Sequence, residues 1–439
     1  MKRVLIVSPH FPPVNAADMH RVRVSLPHFA SFGWKPYVLS VAAECQEMPL
    51  EPRLRETLPA DLDVALTKAL PARWTRPFGI GSVGLRAFAH LYREGARIIA
   101  RESIDLVFFS TTVFPVMALG RLWKRRFGVP YVLDIQDAWL SEYYDDKPAA
   151  ARPPKYAFAH ALNATLEPYT MRKVDGLIAV SPAYLSTLRR RYPWITEGMC
   201  RTVPFGASAG DFTVADSLAW DNPVFDAHDG RIHGVAVGRG GEDMRLAATI
   251  LFRALREVTA STPSRSVHVS FVGTDYAPPA RARKTIAPVA EAEGVGPMVT
   301  EQPSRVPYFE GLRLLRDAHF LVVLGSDDPD YSPSKVYPYI LARRPIVAVL
   351  HASNPVTDLL TRTGAGTVVT FREAGDVPAA VARLAANLPG LLTRMPGEPE
   401  IQWAAFEPFS ARELTRRQCE VFDASVQHRP VAAEVPCLG

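Results

Sequence analysis

The sequence predicts an α/β protein made of two doubly wound domains with a cleft between them. Short apolar, β-branched runs alternate with amphipathic segments in both halves of the 439-residue chain, a pattern typical of parallel sheets covered by helices. A strand–loop–helix–strand unit at the very start implies a right-handed crossover and therefore parallel strands. Periodicity is lost over 211–230, where Asp, Asn, Pro and Gly are frequent, so we expect the domain boundary near 206–211.

These features divide the chain into three predicted parts. Residues 1–208 form an N-terminal Rossmann-like domain, and residues 209–400 form a C-terminal one. Residues 401–425 include an amphipathic helix after a Pro-rich connection. We expect this helix to bury its apolar face by packing back on the N-terminal domain.

The individual elements follow from the same periodicities. Apolar runs predict strands at 2–8, 35–41, 105–109, 131–134, 175–180 and 202–204, then at 233–237, 266–272, 299–302, 320–324, 346–350 and 366–370. Helical spacing predicts helices over 83–101, 113–127, 157–172, 246–258, 306–317 and 336–341. The segment 44–76 is rich in Pro, Leu and charge, and predicts a variable loop with little regular structure.

Composition is that of a soluble globular protein, with 48% hydrophobic residues, 22% charged residues and a net charge of +5. The absence of a dense Lys/Arg tract argues against a nucleic-acid partner. Four cysteines lie far apart, which predicts reduced thiols rather than a zinc or redox site: Cys45, Cys200, Cys419 and Cys437. No signal peptide and no apolar run of about 18 residues occurs. We therefore expect a cytoplasmic protein, with any membrane contact peripheral and at the inner membrane face.

Polar residues follow the first predicted strand. Asn15 lies in the loop, Asp18 is a plausible helix N-cap, and His20, Arg21 and Arg23 lie on the helix that follows. The carboxyl end of a parallel strand is where ligands bind in such sheets. This group is therefore either a ligand site or a solvated helix start.

A second polar group follows the strand at 131–134. Asp134, Asp137 and Trp139 would lie at a carboxyl strand end and face the same crevice. A lone Asp there is commonly a helix cap, whereas two with a Trp are more suggestive of a site. Trp139, Tyr143 and Tyr144 could line a sugar-binding groove, although packing is the commoner role of such rings.

The predicted helix 113–127 ends in Trp123-Lys124-Arg125-Arg126. An aromatic ring beside three cations could rest on an anionic membrane. Four residues are a small patch, so a solvated helix end is the simpler interpretation.

The segment 321–350 predicts strand, loop, helix and strand in succession. Ser334 would cap the helix, which places Ser332, Ser334 and Lys335 at a helix N-terminus just past a strand's carboxyl end. Backbone amides, the helix dipole, two hydroxyls and an ammonium would converge there and bind phosphate. The alternative is an ordinary capped helix with a surface lysine.

A glycine-rich turn follows the strand at 233–237. Gly238 and Gly240 would allow close approach of a ligand, and Arg239 could clamp a diphosphate, with Arg245 as a second cation. The turn has neither a dinucleotide fingerprint nor a Walker A pattern. Together with Ser334 and Lys335, it predicts one diphosphate-binding crevice built from two loops.

The order of these motifs resembles that of the GT-B glycosyltransferases of the large retaining family 4. The resembling pieces are VLIVSPHFPP, VDGLIAVSPAYLSTLRRRYP, TVPFGASAGDF, VAVGRGGEDMR and SPSKVYPYILARRPIVAV. The resemblance implies two Rossmann-like domains, a nucleotide-diphosphate sugar held mainly by the C-terminal domain, and a glycan or lipid-linked acceptor on the N-terminal side. It further implies sugar transfer with retention, as in polysaccharide biosynthesis, with neither a metal ion nor a cofactor beyond the sugar donor.

The resemblance also assigns roles in the donor domain. Arg239 matches an arginine of the family, and Arg245 falls where the family has a lysine; both would neutralise the leaving diphosphate. Two acidic residues eight apart are common in the family. Here Asp330 takes the first place and would contact the donor, but Pro338 takes the second, so the usual ribose contact is missing or is supplied elsewhere.

On the N-terminal side, Asn15 stands in a turn that is commonly Gly-Gly in the family. The segment from Asp134 to Asp137 lies where relatives often have a histidine, and either Asp could orient the sugar or an acceptor hydroxyl. Asp137 is therefore a candidate catalytic residue, and Asn15, His20, Arg21 and Asp134 are candidate acceptor-side residues. A nucleotide-sugar 2-epimerase on the same fold and a non-catalytic nucleotide-sugar-binding protein remain alternative interpretations.

Overall fold

A computed structural model describes residues 1–140, 156–261, 266–275, 277, 280–329, 331, 333–393 and 397–427. The chain forms two compact units. The first contains Met1–Phe205 and the C-terminal segment from Ala411, and the second contains Gly206–Ser410. The predicted limits lie at residues 208 and 400, whereas in the structure residues 206–208 and 401–410 also belong to the second unit.

The first unit contains a sheet of seven parallel strands. The strands are β1 (Lys2–Val7), β2 (Trp34–Val41), β3 (Asp63–Thr67), β4 (Leu106–Ser110), β5 (Tyr131–Ile135), β6 (Gly176–Ala179) and β7 (Cys200–Thr202). Its helices are α1 (His20–Ser25), α2 (Ala72–Thr75), α3 (Val83–Glu102), α4 (Ala118–Phe127), α5 (Tyr156–Met171) and α6 (Pro182–Arg191), with the last helix of the chain described below. The strand order is β3-β2-β1-β4-β5-β6-β7.

Strand β1 lies at the centre of this sheet. Residues 4–7 are fully buried, because helices cover both faces of a parallel sheet. Leu5 pairs with Tyr37 of β2 on one side and with Val107 of β4 on the other. The strand order therefore reverses between β1 and β4. At such a switch point the two following loops diverge and leave room for a ligand.

The prediction of an irregular loop over 44–76 is wrong in one respect. Strand β3 extends the sheet at its edge, pairing Val38 with Val64 and Val41 with Thr67. Val64 and Leu66 point to solvent while Thr67 is buried. An edge strand with apolar residues outside and a polar residue inside lacks the usual alternation, so its periodicity did not identify it.

The predicted C-terminal helix is divided into two. Helix α14 (Trp403–Phe406) ends in a 3₁₀ turn over Glu407–Phe409, and α15 (Ala411–Gln427) begins after Ser410. Helix α15 belongs to the first unit, where Phe422 packs edge-on against Trp34 at 5.4 Å. Its apolar face is thus buried on the sheet of that unit.

The second unit contains six parallel strands. They are β8 (Ile232–Val237), β9 (Val267–Val272), β10 (Val299–Gln302), β11 (Phe320–Leu324), β12 (Ile346–His351) and β13 (Gly366–Phe371). The helices are α7 (Ala209–Asp216), α8 (Arg245–Ser261), α9 (Ala287–Ala292), α10 (Tyr308–Asp317), α11 (Val336–Leu341), α12 (Val356–Thr363) and α13 (Val377–Thr393), together with α14. The strand order β10-β9-β8-β11-β12-β13 reverses between β8 and β11.

Helix α7 begins at the predicted domain boundary and continues into the segment where the sequence loses its periodicity. The Ser208 side chain caps it by accepting a hydrogen bond from the Gly210 amide at 3.2 Å. Tyr308 donates to Asp211 at 2.6 Å and so attaches α7 to α10. The prediction of two doubly wound α/β domains is confirmed, with parallel order in both sheets. In the part of the chain that is described, no helix is long and apolar enough to cross a membrane.

Candidate functional site

Two loops meet at the switch point of the second sheet. The β8 loop is defined here as 238–244 and the β11 loop as 325–335. Asp243 joins them, because its backbone carbonyl accepts a hydrogen bond from the Asp327 amide at 2.8 Å and its carboxylate accepts one from Ser326. The structure therefore brings together the two loops that the sequence predicted to form one crevice.

Gly238 begins the β8 loop with a φ of +122°, a conformation that residues with a side chain rarely adopt. A Cβ placed there would lie 3.5 Å from Cδ of Lys335. The lysine stem thus lies over the bare backbone of the glycine. Gly238 and Lys335, which belong to two separate predicted motifs of the domain, are therefore neighbours.

Tyr339 fixes this arrangement from one helical turn beyond Lys335. Its hydroxyl donates to the Val237 carbonyl at 3.0 Å and accepts from the Val237 amide at 2.7 Å. Burial raises the pKa of Tyr339 above its ordinary value, so the group remains a neutral phenol that can do both. Helix α11 is thereby held against the end of β8.

Burial and, to a smaller extent, the nearby charge of Arg239 lower the pKa of Lys335 to about 8. Among the described residues, the Lys335 ammonium has no hydrogen-bond or ion-pair partner. A half-buried cation beside a second cation attracts an anion to this place.

Arg239 faces the same crevice. Its guanidinium forms a bidentate pair with Asp243, at 3.0 and 2.6 Å, and lies 4.9 Å from the Tyr331 ring centroid. Burial opposes ionisation of Asp243, but the hydrogen bonds from Arg239 and Ser326 hold its pKa below the ordinary value. Arg239 is therefore held in a fixed orientation before any ligand binds.

The remaining donor-side predictions have different outcomes. Arg245 begins α8, is exposed, and pairs with Glu242 at 2.9 Å on the surface. Ser334 is exposed and does not cap α11; Lys335 occupies the cap position without a side-chain cap bond. The turn that leads into α11 is closed by backbone hydrogen bonds, such as the one from the Val336 amide to the Pro333 carbonyl. A side-chain hydroxyl is therefore not needed to cap the helix. Asp330 and Ser332 lie outside the described residues.

In the first unit, Arg21 and Asp134, which were predicted to lie on the acceptor side, form a buried ion pair with each other. The Arg21 guanidinium lies 2.7 Å from the Asp134 carboxylate, and both side chains are buried. Arg21 also donates to the carbonyls of Val203 at 2.6 Å and Pro204 at 3.2 Å. Burial raises the pKa of Asp134, although Arg21 opposes this shift. The pair joins α1 to the sheet and has little surface left for an acceptor.

The other acceptor-side candidates remain half-buried or exposed. Asn15 donates to Glu51 at 2.9 Å, and the ring of His20 lies 3.1 Å from the Arg23 guanidinium. Asp137 is exposed just past β5 and its carboxylate accepts from the Ala138 amide at 2.8 Å. Asp137 is thus accessible to a ligand at the carboxyl end of the sheet.

Two tryptophans proposed for binding are core residues. Trp139 is buried and stacks on Phe114 at 5.4 Å. Trp123 is fully buried between Tyr92 and Phe109, so the helix end that carries it cannot place this ring on a membrane. Tyr143 and Tyr144 lie outside the described residues.

Sequence reasoning missed one group at the switch point of the first sheet. Nδ1 of His10 lies 2.8 Å from Asp18, whose other oxygen accepts from the Thr111 hydroxyl at 2.7 Å and the Thr112 amide at 3.1 Å. Asp18 is thus not a helix cap. The available signal was the histidine placed three residues after β1, at a carboxyl strand end.

This group is firmly oriented. Burial raises the pKa of Asp18, but the bonds from His10 and Thr111 outweigh burial and leave that pKa below its ordinary value. The second ring nitrogen of His10 has no hydrogen-bond partner among the described residues. An ionised carboxylate therefore orients an imidazole whose outer nitrogen is available to a hydroxyl group.

Comparison with known proteins agrees with this architecture. Residues 17–206 match the model of the glycosyl transferase 4-like domain. No protein among those of curated function matches this chain in sequence.

Three solved structures illustrate the fold. A glycosyltransferase from Rickettsia africae is 13% identical with a TM-score of 0.58, over 97% of this chain and 99% of that one. HepE of Anabaena, solved with UDP-glucose, is 12% identical with a TM-score of 0.58, over 97% of this chain and all of its own. A putative UDP-N-acetylglucosamine 2-epimerase from Listeria monocytogenes is 12% identical with a TM-score of 0.51, over 99% and 100%.

Because identities of this size establish only the fold, the matched domain carries the assignment to a class of enzyme. The predicted family resemblance is confirmed. Residues 17–206 match the glycosyl transferase 4-like domain, and the whole chain has the GT-B fold of solved glycosyltransferases.

Proposed function

We propose that this glycosyltransferase moves a sugar from a nucleotide-diphosphate sugar to a saccharide, lipid-linked or small-molecule acceptor, with retention and without a metal ion. The observation that carries the proposal is the convergence of Lys335 and Arg239 beside Gly238. The nucleotide diphosphate would bind there, at the switch point of the second sheet.

The chemistry of the leaving group explains why two cations matter. Breaking the glycosidic bond to a diphosphate leaves additional negative charge on the phosphate oxygens. Arg239, which its pair with Asp243 holds in orientation, adds a guanidinium charge beside such oxygens, and Lys335 adds a compact ammonium charge. Fixed cations that stabilise this charge lower the barrier to transfer. Since the side chains supply this charge, we propose that the reaction needs no metal ion.

Arg245 can help to neutralise the leaving diphosphate only when its surface ion pair with Glu242 opens. Asp330 and Ser332 remain predicted donor contacts. Pro338 lies within α11, so no carboxylate at that position can bind the ribose. We infer that the donor is held mainly through its diphosphate and sugar.

The acceptor side of the proposal belongs to the first unit. His10, oriented by Asp18, and the exposed Asp137 both follow strands at the carboxyl edge of that sheet. We infer that they hold an acceptor hydroxyl through hydrogen bonds. The Anabaena structure solved with UDP and glucose supports a sugar acceptor by analogy of fold. Retention rests on the resemblance to family 4.

Donor binding is tested by thermal shift with UDP-glucose, GDP-mannose and the free nucleotides. A ligand that binds only the folded protein raises the melting temperature. We expect one nucleotide sugar to do so, and Arg239→Ala to weaken its binding about tenfold to a hundredfold, as loss of a charge-assisted contact does. Arg239→Lys should recover only part, because lysine cannot bind bidentately.

The matched control is Arg253→Ala. Arg253 forms a comparable bidentate pair with Glu293, at 2.8 and 3.0 Å, between α8 and α9. This substitution should leave the ligand-induced shift unchanged. A protein that no nucleotide or nucleotide sugar stabilises would refute the proposal, and inhibition by EDTA would refute metal independence.

The 2-epimerase alternative is kept because the Listeria protein shares the fold. It predicts interconversion of a UDP-sugar without any acceptor, visible by NMR as a new sugar spin system at constant mass. Transfer to an added acceptor, detected by mass spectrometry, would favour the proposed function. Tight donor binding without either reaction would indicate a non-catalytic binding protein.

A further inference from the structure

The exposed apolar side chains of the first unit are concentrated in one segment. Eleven large apolar residues are exposed among those described, and seven of them lie between 48 and 78: Met48, Leu50, Val64, Leu66, Leu70, Trp74 and Phe78. Phe78 is 80% exposed and Trp74 is 62% exposed. Exposed apolar side chains normally occur singly, so a concentration of them marks an interaction surface.

The C-terminal part of this segment is cationic. From Val64 to Arg93 the sequence contains no acidic residue. Lys68, Arg73 and Arg76 are exposed among the apolar side chains. The Arg73 guanidinium lies 5.5 Å from the Trp74 ring, and Arg76 pairs with Glu47 at the exposed surface. Aromatic rings interleaved with cations are complementary to a surface that carries anionic groups on the outside and apolar material beneath them.

The backbone of the segment is held in place. Arg86 is buried; it donates to the Leu70 carbonyl at 2.8 Å and to the Cys45 carbonyl at 3.0 Å. Thr75 is buried between exposed neighbours, and the Ile80 amide donates to its carbonyl at 3.1 Å. Trp74 and Phe78 are therefore presented by a turn whose base is fixed, so little conformational freedom is lost when they are covered.

The segment begins beside the acceptor edge of the sheet. The carbonyls of Pro9 and Thr67 accept hydrogen bonds from the consecutive amides of Val41 and Ala42, at 3.2 and 2.8 Å. Thr67 ends β3, and Pro9 precedes His10. The exposed segment therefore leaves the sheet at the same edge as the loop that carries His10.

We propose that segment 66–78 docks the first unit on an anionic lipid surface. Trp74, Phe78 and Leu70 enter the headgroup region, and Lys68 and Arg73 bind lipid phosphates. This docking goes beyond the proposed sugar transfer and does not rest on it. It would bring the edge of the sheet that carries His10 close to the lipid surface, where a lipid-linked acceptor would be presented.

Flotation of the full-length protein with lipid vesicles tests the proposal. We expect flotation with vesicles that contain phosphatidylglycerol, weak flotation with phosphatidylcholine alone, and a decline with added salt. The double variant Trp74→Ser/Phe78→Ser should lower the partition coefficient about tenfold or more, from the loss of buried apolar surface. Lys68→Gln/Arg73→Gln should lower it about fivefold per charge removed.

Matched controls are Phe158→Ser, at an exposed phenylalanine on α5, and Arg281→Gln/Arg283→Gln, at exposed cations of the second unit. Both should float like the wild type. Failure of the wild type to float, equal binding to neutral vesicles, or undiminished flotation of the double serine variant would overturn the proposal. So would a wild-type dimer that the double serine variant dissociates, because a second copy would then cover the segment.

Thermal shift with UDP-glucose on the same variants separates the two proposals. A variant that no longer floats but is still stabilised by the donor supports docking independently of transfer. If the wild type floats and the double serine variant does not, but no nucleotide sugar stabilises either protein, the proposed function is contradicted and the docking surface still stands.

Discussion

The side chain of Lys335 lies over the backbone of Gly238, with its Cδ 3.5 Å from the position that a Cβ at residue 238 would take. The two residues are far apart in sequence, and the parallel pairing of β8 with β11 brings their loops together. A glycine here lets the lysine stem lie against the backbone of the β8 loop. The ammonium thereby adds its charge to that of Arg239, and two neighbouring cations favour binding of a phosphate group.

Gly238→Ala should weaken donor binding and destabilise the fold. A φ of +122° is unfavourable for alanine, and we expect a loss of about 1–3 kcal/mol in the free energy of unfolding. The control is Gly230→Ala, where φ is +82° and nothing lies within 4 Å. It should lose stability but keep the thermal shift with donor. Equal donor binding by both variants would show that the β8 loop does not contact the donor.

Donor affinity should fall as the pH rises through about 8, the pKa of Lys335, because the neutral amine no longer attracts diphosphate. Isothermal titration on either side of this pH measures the change. Arg239→Ala should shift the midpoint upward, since the Arg239 charge lowers the Lys335 pKa. A flat affinity profile across this range would remove Lys335 from the donor site.

The Lys335→Met variant should be more stable than the wild type and should not bind the donor. Burying a charge without a partner costs free energy, and its removal should add on the order of 1–3 kcal/mol to the free energy of unfolding at neutral pH. Between about 8 and the ordinary value of 10.5, the unfolded chain binds more protons, so wild-type stability rises with pH. This rise should vanish in the variant, as measured by urea unfolding.

Breaking the Arg21–Asp134 pair should destabilise the first unit. Arg21→Met leaves a buried carboxylate without its counter-charge and should cost about 3–5 kcal/mol. The double variant Arg21→Met/Asp134→Leu should cost less than the single one. As a control, Arg53→Met removes an exposed pair with Glu56 and should cost less than about 1 kcal/mol. A stable Arg21→Met variant with impaired transfer would instead restore the acceptor role.

Asp18→Asn should slow sugar transfer while leaving the donor-induced thermal shift intact, because the two groups lie in different units. The amide can no longer fix the His10 ring as a carboxylate does. Asp18 has a lowered pKa, so its stabilising contribution is present above the ordinary value and is lost as the pH falls through the folded value. The variant should therefore lose less stability on acidification.

The control for Asp18→Asn is Asp63→Asn, which removes an exposed carboxylate paired with Lys35 at 2.9 Å. In this variant, the rate of sugar transfer and the loss of stability on acidification should both stay at wild-type values. Unchanged transfer kinetics in Asp18→Asn would exclude the His10 group from the acceptor site.

Several features were predictable from local sequence. Strand β11 and helix α11 have the predicted bounds, because a continuous apolar run and a helix between two proline-containing turns are encoded by neighbouring residues. The cap of helix α6 is local in the same way, since the Ser181 hydroxyl accepts a hydrogen bond from the Ala183 amide at 3.3 Å. Edge strand β3 was missed, since its identity depends on pairing with β2.

The sequence by itself determined the α/β class, the parallel strands of both sheets and the approximate positions of the two donor loops, because these depend on residue spacing within short windows. Only the tertiary structure decided which polar residues are available to a ligand. Arg21 and Asp134 had the same sequence signal as Lys335, yet they neutralise each other in the core. Lys335, in contrast, has no counter-charge among the residues that the structure describes. Pairing of charges depends on distances across the fold, and residues far apart in the chain set those distances.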